Sequence, residues 1–250
     1  SRSISATSTL KHTNEQNEPP ATLSATPTIV PLAAFDTGET VSEYHKINSL
    51  YKRDESGRNM LYGEYACEEF EYLRDCAWNF TEKVDGTNIR VIIQDGHVTF
   101  GGKTDNAQIP AKLVARLELL FLAKPGIDKL IEKLPNGILY GEGFGPTIQK
   151  GGGNYGHFVD FCLFDVSIGG WWLKRNDIQD IALTLGLQIA PLVGCGTLSD
   201  MEQKVRAGFN SRWGDFQAEG IVARPAVELK TRSGHRIITK LKTRDFPRQA

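Results

Sequence analysis

The sequence predicts an α+β domain built on largely antiparallel sheets. Strand-like segments outnumber helical ones, a strong hairpin turn at Asp95-Gly96 joins two of them, and no internal repeat points to a solenoid or propeller. Residues 1–38 stand apart: twelve are Ser or Thr, four are Pro, and Phe35 is the only aromatic residue. Such a stretch buries too little apolar surface to offset its conformational entropy, so it reads as a disordered or loosely attached tail. The folded domain is expected over 39–250, with no separate C-terminal domain. Glu68 to Arg74 reads as a short helix. Asn88 to Ile93 is a β-branched strand, and the Asp-Gly turn leads to a second strand at Val98 to Gly101. Leu113, Leu117 and Leu120 give Ala111 to Leu122 a helical period. Further strands are expected at Gly137 to Glu142, Phe158 to Val166, Glu219 to Ala223 and Arg236 to Lys242, and helices at Lys174 to Leu185 and Leu198 to Ala207.

Composition narrows the classes. The chain has 250 residues, 40% hydrophobic and 24% charged, enough for a real core without disulfide staples. No run approaches the ~18 apolar residues a membrane span needs, so no membrane partner is expected. Cys67, Cys76, Cys162 and Cys195 lack CxxC spacing and read as thiols in a reducing, cytoplasmic setting. An organellar leader in the Ser-rich start is opposed by Glu15 and Glu18. The net charge of −1 carries no global nucleic-acid signal. Between Arg224 and Arg248, however, eight basic residues face two acidic ones, a local +6. A solvated face explains such a segment unless its lysines point at something anionic.

Five segments carry candidate chemistry. Glu82-Lys83-Val84-Asp85-Gly86-Thr87-Asn88 precedes a strand; it is a plain Asp-Gly turn, or a rigid turn where a phosphate approaches a nucleophilic lysine. Leu139 to Pro146 is an apolar strand ending with Glu142 among glycines. Phe164-Asp165 lies in a strand where the aromatic is either core or a base-stacking platform. Glu219-Gly220 opens a buried-looking strand. Lys240-Leu241-Lys242 puts two ammonium groups on one strand face, because strand side chains alternate with period two. His157, Asp160 and Cys162 have unsuitable spacing for a metal, and His157 reads as structural. Lys46, Lys52 and Arg53 read as surface charges within reach of a triphosphate or RNA, and Trp171-Trp172 as packing or a hairpin edge.

Taken in order, the five segments resemble the motif series of the covalent nucleotidyltransferases, the polynucleotide ligases and mRNA capping enzymes. Within that group Lys-x-Asp-Gly-x-Asn is similar to the RNA ligases, since DNA ligases and capping enzymes typically carry Arg at the Asn88 position. Gly145-Pro146-Thr147-Ile148-Gln149-Lys150 is similar to the phage RNA ligase 2 and RNA-editing ligase branch. The resemblance spans about 43–245. It implies two mainly antiparallel sheets flanked by helices with a nucleotide cleft between them, and an ATP-dependent RNA ligase acting on RNA ends or nicked duplex with Mg²⁺ or Mn²⁺; a monomer is expected, though no motif speaks to the oligomeric state.

The same resemblance assigns roles. Lys83 is the nucleophile that accepts AMP. Lys240 and Lys242 hold the α-phosphate and, with the metal ion, bring the Lys83 pKa down from ~10.4 toward neutrality, a change of ~4 kcal/mol. Glu219 places the metal through water. Glu142 accepts from the ribose, Asn88 sits by the ribose or phosphates, Phe164 stacks on adenine, Glu82 belongs to the purine pocket, and Asp85 fixes the turn. Two departures stand out. Gly101-Gly102-Lys103-Thr104 puts Lys103 where the family commonly has arginine, keeping the charge but losing the bidentate fork. The sequence also ends eight residues after Lys242; contacts to RNA that a further domain makes in relatives then fall to the basic strand, to loop 149–157 or to a protein partner. The alternatives are a DNA ligase or capping-type enzyme, and a non-catalytic RNA- or nucleotide-binding module on the same fold.

Overall fold

The structure is a computed structural model that describes residues 43–246. The segment read as a tail, 1–38, lies outside the described residues. In chain order the described residues form β1 (Asn48–Ser49), β2 (Tyr51–Arg53), β3 (Met60–Tyr65), α1 (Glu68–Tyr72), β4 (Trp78–Glu82), β5 (Thr87–Gln94), β6 (His97–Gly101), α2 (Ala111–Phe121) and α3 (Gly126–Lys133). There follow β7 (Gly137–Phe144), β8 (Asp160–Ile168), β9 (Trp171–Trp172), α4 (Arg175–Leu185), β10 (Gln188–Ile189), β11 (Leu192–Gly196), α5 (Leu198–Ala207), β12 (Gly220–Pro225) and β13 (Thr239–Lys242).

Two larger sheets dominate. One has the order β1-β13-β12-β4-β11, antiparallel except for the short β1–β13 pairing. The other runs β10-β8-β7-β5-β6 with β9 beside β8, and only β10–β8 is parallel. Strands β2 and β3 form a separate hairpin. This is the α+β, mainly antiparallel architecture expected.

The period of two in each strand decides what the sheets enclose. In β5, Ile89, Val91 and Ile93 point to one face and pack with Leu113, Leu117 and Phe121 of α2. In β4, Trp78 and Phe80 join Met201 and Val205 of α5 and Ile221 and Ala223 of β12 in a second core. Each sheet thus covers one face with helices. The alternate residues of both sheets, among them Thr81, Asn88, Glu142, Phe164, Val222 and Lys240, line a shared cavity. Helix α5 is fixed at its start by a capping box: Thr197 Oγ1 accepts the Asp200 N–H, and the Asp200 carboxylate accepts the Thr197 N–H.

Several elements lie outside the sequence expectation. β1, β2 and β10 are too short for periodicity to register, the longer β3, β4 and β11 and the eight-residue α3, which opens on Pro125-Gly126, also lie outside it, and β9 forms the hairpin edge that Trp171-Trp172 allowed. Several boundaries move, two of them by two or three residues at the start of a strand. β8 begins at Asp160, leaving Phe158 exposed, and β13 begins at Thr239 because Arg236 turns inward to an ion cluster described below.

Candidate active site

Lys83 lies in the connection from β4 to β5, and therefore between the two sheets. The backbone around it is pinned on every side. The Glu82 N–H donates to Pro191 O (2.9 Å) and the Lys83 N–H to Gly220 O (2.9 Å). Asp85 accepts the Gly151 N–H on Oδ2 (3.1 Å), and its own N–H donates to the Tyr155 hydroxyl (3.2 Å). Gly86 has no room for a side chain: a Cβ there meets Gly143 O at 2.2 Å and Glu142 Cγ at 2.8 Å. The glycine of this motif is required by close approach of two backbones, which the sequence alone could read only as a turn.

Glu82 borders the cavity, and its carboxylate is taken up by the loop before β12. It is buried, accepting the Ser211 hydroxyl at 2.5 Å and the Arg212 N–H at 2.8 Å, and so anchors the loop before β12.

The Lys83 ammonium is 2.8 Å from Oε2 of Glu219, and the Lys242 ammonium is 2.7 Å from Oε1 of the same carboxylate. Glu219 immediately precedes β12, whose first residue Gly220 is opposite Lys242, so the carboxylate starts close to the Lys242 end of β13. Burial works to lower the Lys83 pKa, but Glu142, Glu219 and Asp85 outweigh it and hold the value above that of an ordinary lysine. The lysine whose pKa falls is Lys240, through burial and then the positive charges of Lys83, Lys242 and Lys103. The expected depression of Lys83 by its basic neighbours is therefore absent from this arrangement, because the carboxylates of Glu142, Glu219 and Asp85 dominate its surroundings.

The cavity holds about 170 Å³. Phe164 enters it from β8 and Val222 from β12, so an aromatic and a branched aliphatic side chain come from opposite sheets. Between β7 and β8 the register shifts: Tyr140 pairs with Asp165 and Gly141 with Leu163, leaving Phe164 as the extra residue of a bulge. The Tyr44 ring meets Phe164 edge-on at 5.1 Å. Asn88 and Glu142 are direct cross-strand partners, and both line the cavity. Asn88 Oδ1 is buried with no hydrogen-bond partner among the described residues, an acceptor in need of a donor. Burial pushes the Glu142 carboxyl up to about 7; Lys83 opposes this, and the charges of Glu219 and Asp85 add to it. Lys103 completes the wall from the loop after β6.

Other residues of the wall escaped sequence reasoning: Tyr44, His45, Thr81, Ala190 and Arg224. Behind Phe164, Oδ2 of the buried Asp165 takes the Tyr44 hydroxyl (2.8 Å), Arg224 (2.9 Å) and Arg236 (2.6 Å). Arg236 also pairs with Glu228 and lies 4.1 Å from the Trp172 ring centroid. A carboxylate in an apolar strand was the available signal, since a buried charge demands a cation. Two of the basic residues of the C-terminal segment answer that demand. Of the surface cations considered, Lys46 borders the cavity, whereas Arg53 pairs with Asp245. His157 is exposed, and Asp160 pairs with Arg116.

The donor set bears on metal binding. Among the described residues no group of three or more His, Cys, Asp or Glu could hold a metal ion. Magnesium, however, keeps several waters and takes one or two carboxylates plus substrate phosphates. Glu219, with Glu142 and Asp85 acting on the same ammonium, fits such a hydrated ion.

The sequence model of the RNA ligase family matches residues 77–242. No curated protein sequence matches the chain. Among solved structures, the chain is similar to Naegleria gruberi RNA ligase with pyrophosphate (TM-score 0.58, 20% identity, covering 90% of this chain and 61% of that one). It is similar to variants of that enzyme with ATP and manganese (TM-score 0.54, 21% identity, 70% and 51%) and with AMP and manganese (TM-score 0.56, 18% identity, 70% and 52%). The chain therefore spans half to six-tenths of the length of these structures. At such identities the likeness concerns the fold, which is that of the nucleotidyltransferase part of an RNA ligase.

Proposed function

Because the chain belongs to the RNA ligase family, we propose that it is an ATP-dependent RNA ligase that joins 3′-hydroxyl and 5′-phosphate ends through a lysyl-AMP on Lys83. The observation that carries this reading is the chain of contacts from Lys83 through Glu219 to Lys242 beside a cavity walled by Phe164, Val222, Asn88 and Glu142. Residues 39–250 are the nucleotidyltransferase unit in this reading.

Each side chain then has a task. Phe164 and Val222 take the adenine ring between the sheets. Asn88 Oδ1, which lacks a donor, and Glu142 meet the ribose hydroxyls. Lys240, Lys103 and Lys242 face the phosphates and stabilise charge that develops on them. Glu219 is the carboxylate for a hydrated Mg²⁺ or Mn²⁺, whose positive charge neutralises the phosphates. Lys83 gives up one proton to solvent and its amine attacks the α-phosphorus: an Nζ–P bond forms as the P–O bond to the β-phosphate breaks and pyrophosphate leaves, and the nitrogen gives a second proton to solvent to leave the phosphoramidate. An RNA 5′-phosphate oxygen then displaces the lysine, and a 3′-hydroxyl finally displaces AMP to leave a phosphodiester.

Lys83 as folded is held as an ammonium, so catalysis requires Glu219 to release it. Glu219 would hold the divalent cation, whose charge would compete with Lys83 and Lys242 for that carboxylate and favour the neutral form of Lys83. ATP is favoured over GTP by the Asn88 motif and the Gln149-Lys150 run.

The decisive experiment incubates the chain with Mg²⁺ and ATP labelled at the α-phosphate, followed by denaturing separation and peptide mapping. Acid-labile label on Lys83, absent from Lys83→Ala, is the expected result. A chain that takes no label from ATP or GTP under Mg²⁺ or Mn²⁺, yet binds RNA, would move the reading to a non-catalytic module.

A further inference from the structure

Arg90 is the one wholly buried arginine among the described residues, and the motif series assigns it nothing. It lies two residues beyond Asn88 on β5, hence on the same strand face, in a segment whose composition reads as plain core. A fully desolvated guanidinium is costly unless its donors are satisfied by a fixed set of acceptors. Two of its nitrogens find their acceptors in one short segment, while Nη1 is buried with no partner among the described residues. Nε donates to Gly102 O at 2.9 Å, and Nη2 donates to Asp105 Oδ1 at 2.8 Å. The two contacts bracket Lys103.

The glycines before Lys103 are shaped to this clamp. A Cβ at Gly101 meets three guanidinium atoms of Arg90 at 3.0–3.2 Å, and a Cβ at Gly102 meets Ala107 Cβ at 2.8 Å. The loop can close over Arg90 only because both positions lack side chains. On its outer side, the Asp105 N–H donates to Glu43 Oε1 at 3.3 Å, next to Tyr44, whose ring packs on Phe164. Lys103 itself is exposed on the loop and reaches the cavity wall, where its charge acts on Lys240. A lysine on a free loop is a mobile point charge; one on a loop held at both flanks is aimed.

We propose that Arg90 is a positioning residue: by clamping Gly102 and Asp105 it holds the Lys103 ammonium against the phosphates or ribose of the bound nucleotide. The proposal rests on the nucleotide reading of the cavity. It gives the buried arginine the task of directing a lysine that stands where the family commonly has an arginine.

The test is a double-mutant cycle read in ATP binding and in lysyl-AMP formation. Lys103→Ala is expected to raise the Kd and KM for ATP about 10-fold, the scale of one hydrogen bond to a charged group, with a smaller change in the rate at saturating ATP. Arg90→Met is expected to reproduce most of that increase, and the Arg90→Met/Lys103→Ala double variant to be no worse than Lys103→Ala alone. Arg90→Lys, which keeps the charge but cannot bridge both acceptors, falls between. Should Arg90→Met fail to fold, Asp105→Ala decides: Asp105 is exposed, and its loss removes one arm of the clamp from outside. It is expected to raise KM for ATP about 3-fold, and to have no effect once Lys103 is Ala. An unchanged KM in Asp105→Ala, or effects of Arg90 and Lys103 that simply add, would overturn the proposal and make Arg90 a packing residue. A wild-type chain that binds ATP without labelling Lys83 separates the two readings, since calorimetric Kd values complete the cycle. A wild-type chain that does not bind ATP overturns both.

Discussion

The Nζ of Lys83 lies 2.8 Å from Oε2 of Glu219, so the residue read as the nucleophile is held in its non-nucleophilic, protonated form by the nearest carboxylate. Glu142 and Asp85 act in the same direction. Glu219→Gln removes the closest of these charges and is expected to lower the Lys83 pKa. The measurement is the pH dependence of Lys83 acylation, followed by peptide mass. The same variant is expected to lose about 10–100-fold in divalent-metal affinity, read from the metal dependence of adenylylation, because it lacks the carboxylate assigned to the ion. A Lys83 titration that does not move in Glu219→Gln contradicts a contribution of this pairing, beside that of Glu142, to its raised pKa.

Glu142 gives a stability prediction whose sign is fixed by its direction of shift. Its carboxyl is pushed from 4.5 up to about 7 by burial, against the pull of Lys83. Between those values the folded chain holds a proton that the unfolded chain has released. The stabilisation is therefore complete below about pH 4.5 and is lost as pH rises through about 7. Glu142→Gln mimics the protonated form and lacks this dependence. Denaturant midpoints measured across that range should show wild type losing up to about 3 kcal/mol relative to Glu142→Gln. Parallel curves would show that Glu142 does not titrate in this window.

The motif residues were legible in the sequence because their chemistry is local and ordered: Lys83, Glu142, Phe164, Glu219 and Lys240-Leu241-Lys242 each sit on or beside a strand with a readable period. Long strands and helices such as β5, β7, α2 and α5 were legible for the same reason. What stayed hidden is long-range. Apart from the charge of Lys46, nothing in residues 44–47 says that they cross to the cavity, because the β1 that follows is a two-residue parallel edge strand with no pattern of its own. Arg90 read as part of an apolar strand, and its acceptors lie in a loop more than ten residues on. The direction of the Lys83 shift was also inaccessible. Counting neighbouring cations suggests a depressed pKa, whereas the fold pairs Lys242 with Glu219 and leaves the carboxylates dominant around Lys83.

Gly86 tests the close approach between the β4–β5 turn and β7. An alanine there puts Cβ 2.2 Å from Gly143 O, a backbone atom that cannot swing aside, and 2.8 Å from Glu142 Cγ. Overpacking of this kind costs about 1–3 kcal/mol. For a domain of this size, Gly86→Ala is expected to lower Tm by about 3–10 °C and to displace Lys83 and Glu142 together. Thermal melts and lysyl-AMP formation at low temperature check both parts. A variant with wild-type Tm and full labelling shows that the turn can shift without consequence.

The ion cluster behind Phe164 sets a further expectation. Asp165 is fully buried, and its Oδ2 draws Arg236, Arg224 and the Tyr44 hydroxyl, while Oδ1 has no partner among the described residues. Removing Arg236 strips the shortest of these contacts and the cation over Trp172, leaving a buried carboxylate less compensated. Breaking a buried pair from one side costs about 3–5 kcal/mol, and the remaining Arg224 and Tyr44 place Arg236→Met at or below the lower end of that range. Asp165→Asn removes the charge instead of its partner, but leaves two guanidinium groups facing a neutral amide. If the cost lies in uncompensated charge, the double variant Asp165→Asn/Arg236→Met is less destabilised than the sum of the singles by about 1–3 kcal/mol. Denaturant unfolding of the four proteins measures that coupling. Because Tyr44 packs on Phe164 and bonds to Asp165, each single variant is also expected to weaken ATP binding, although neither changed residue lines the cavity. Additive stabilities would mean that the cluster acts as separate contacts, and an unchanged ATP affinity would uncouple it from the stacking ring.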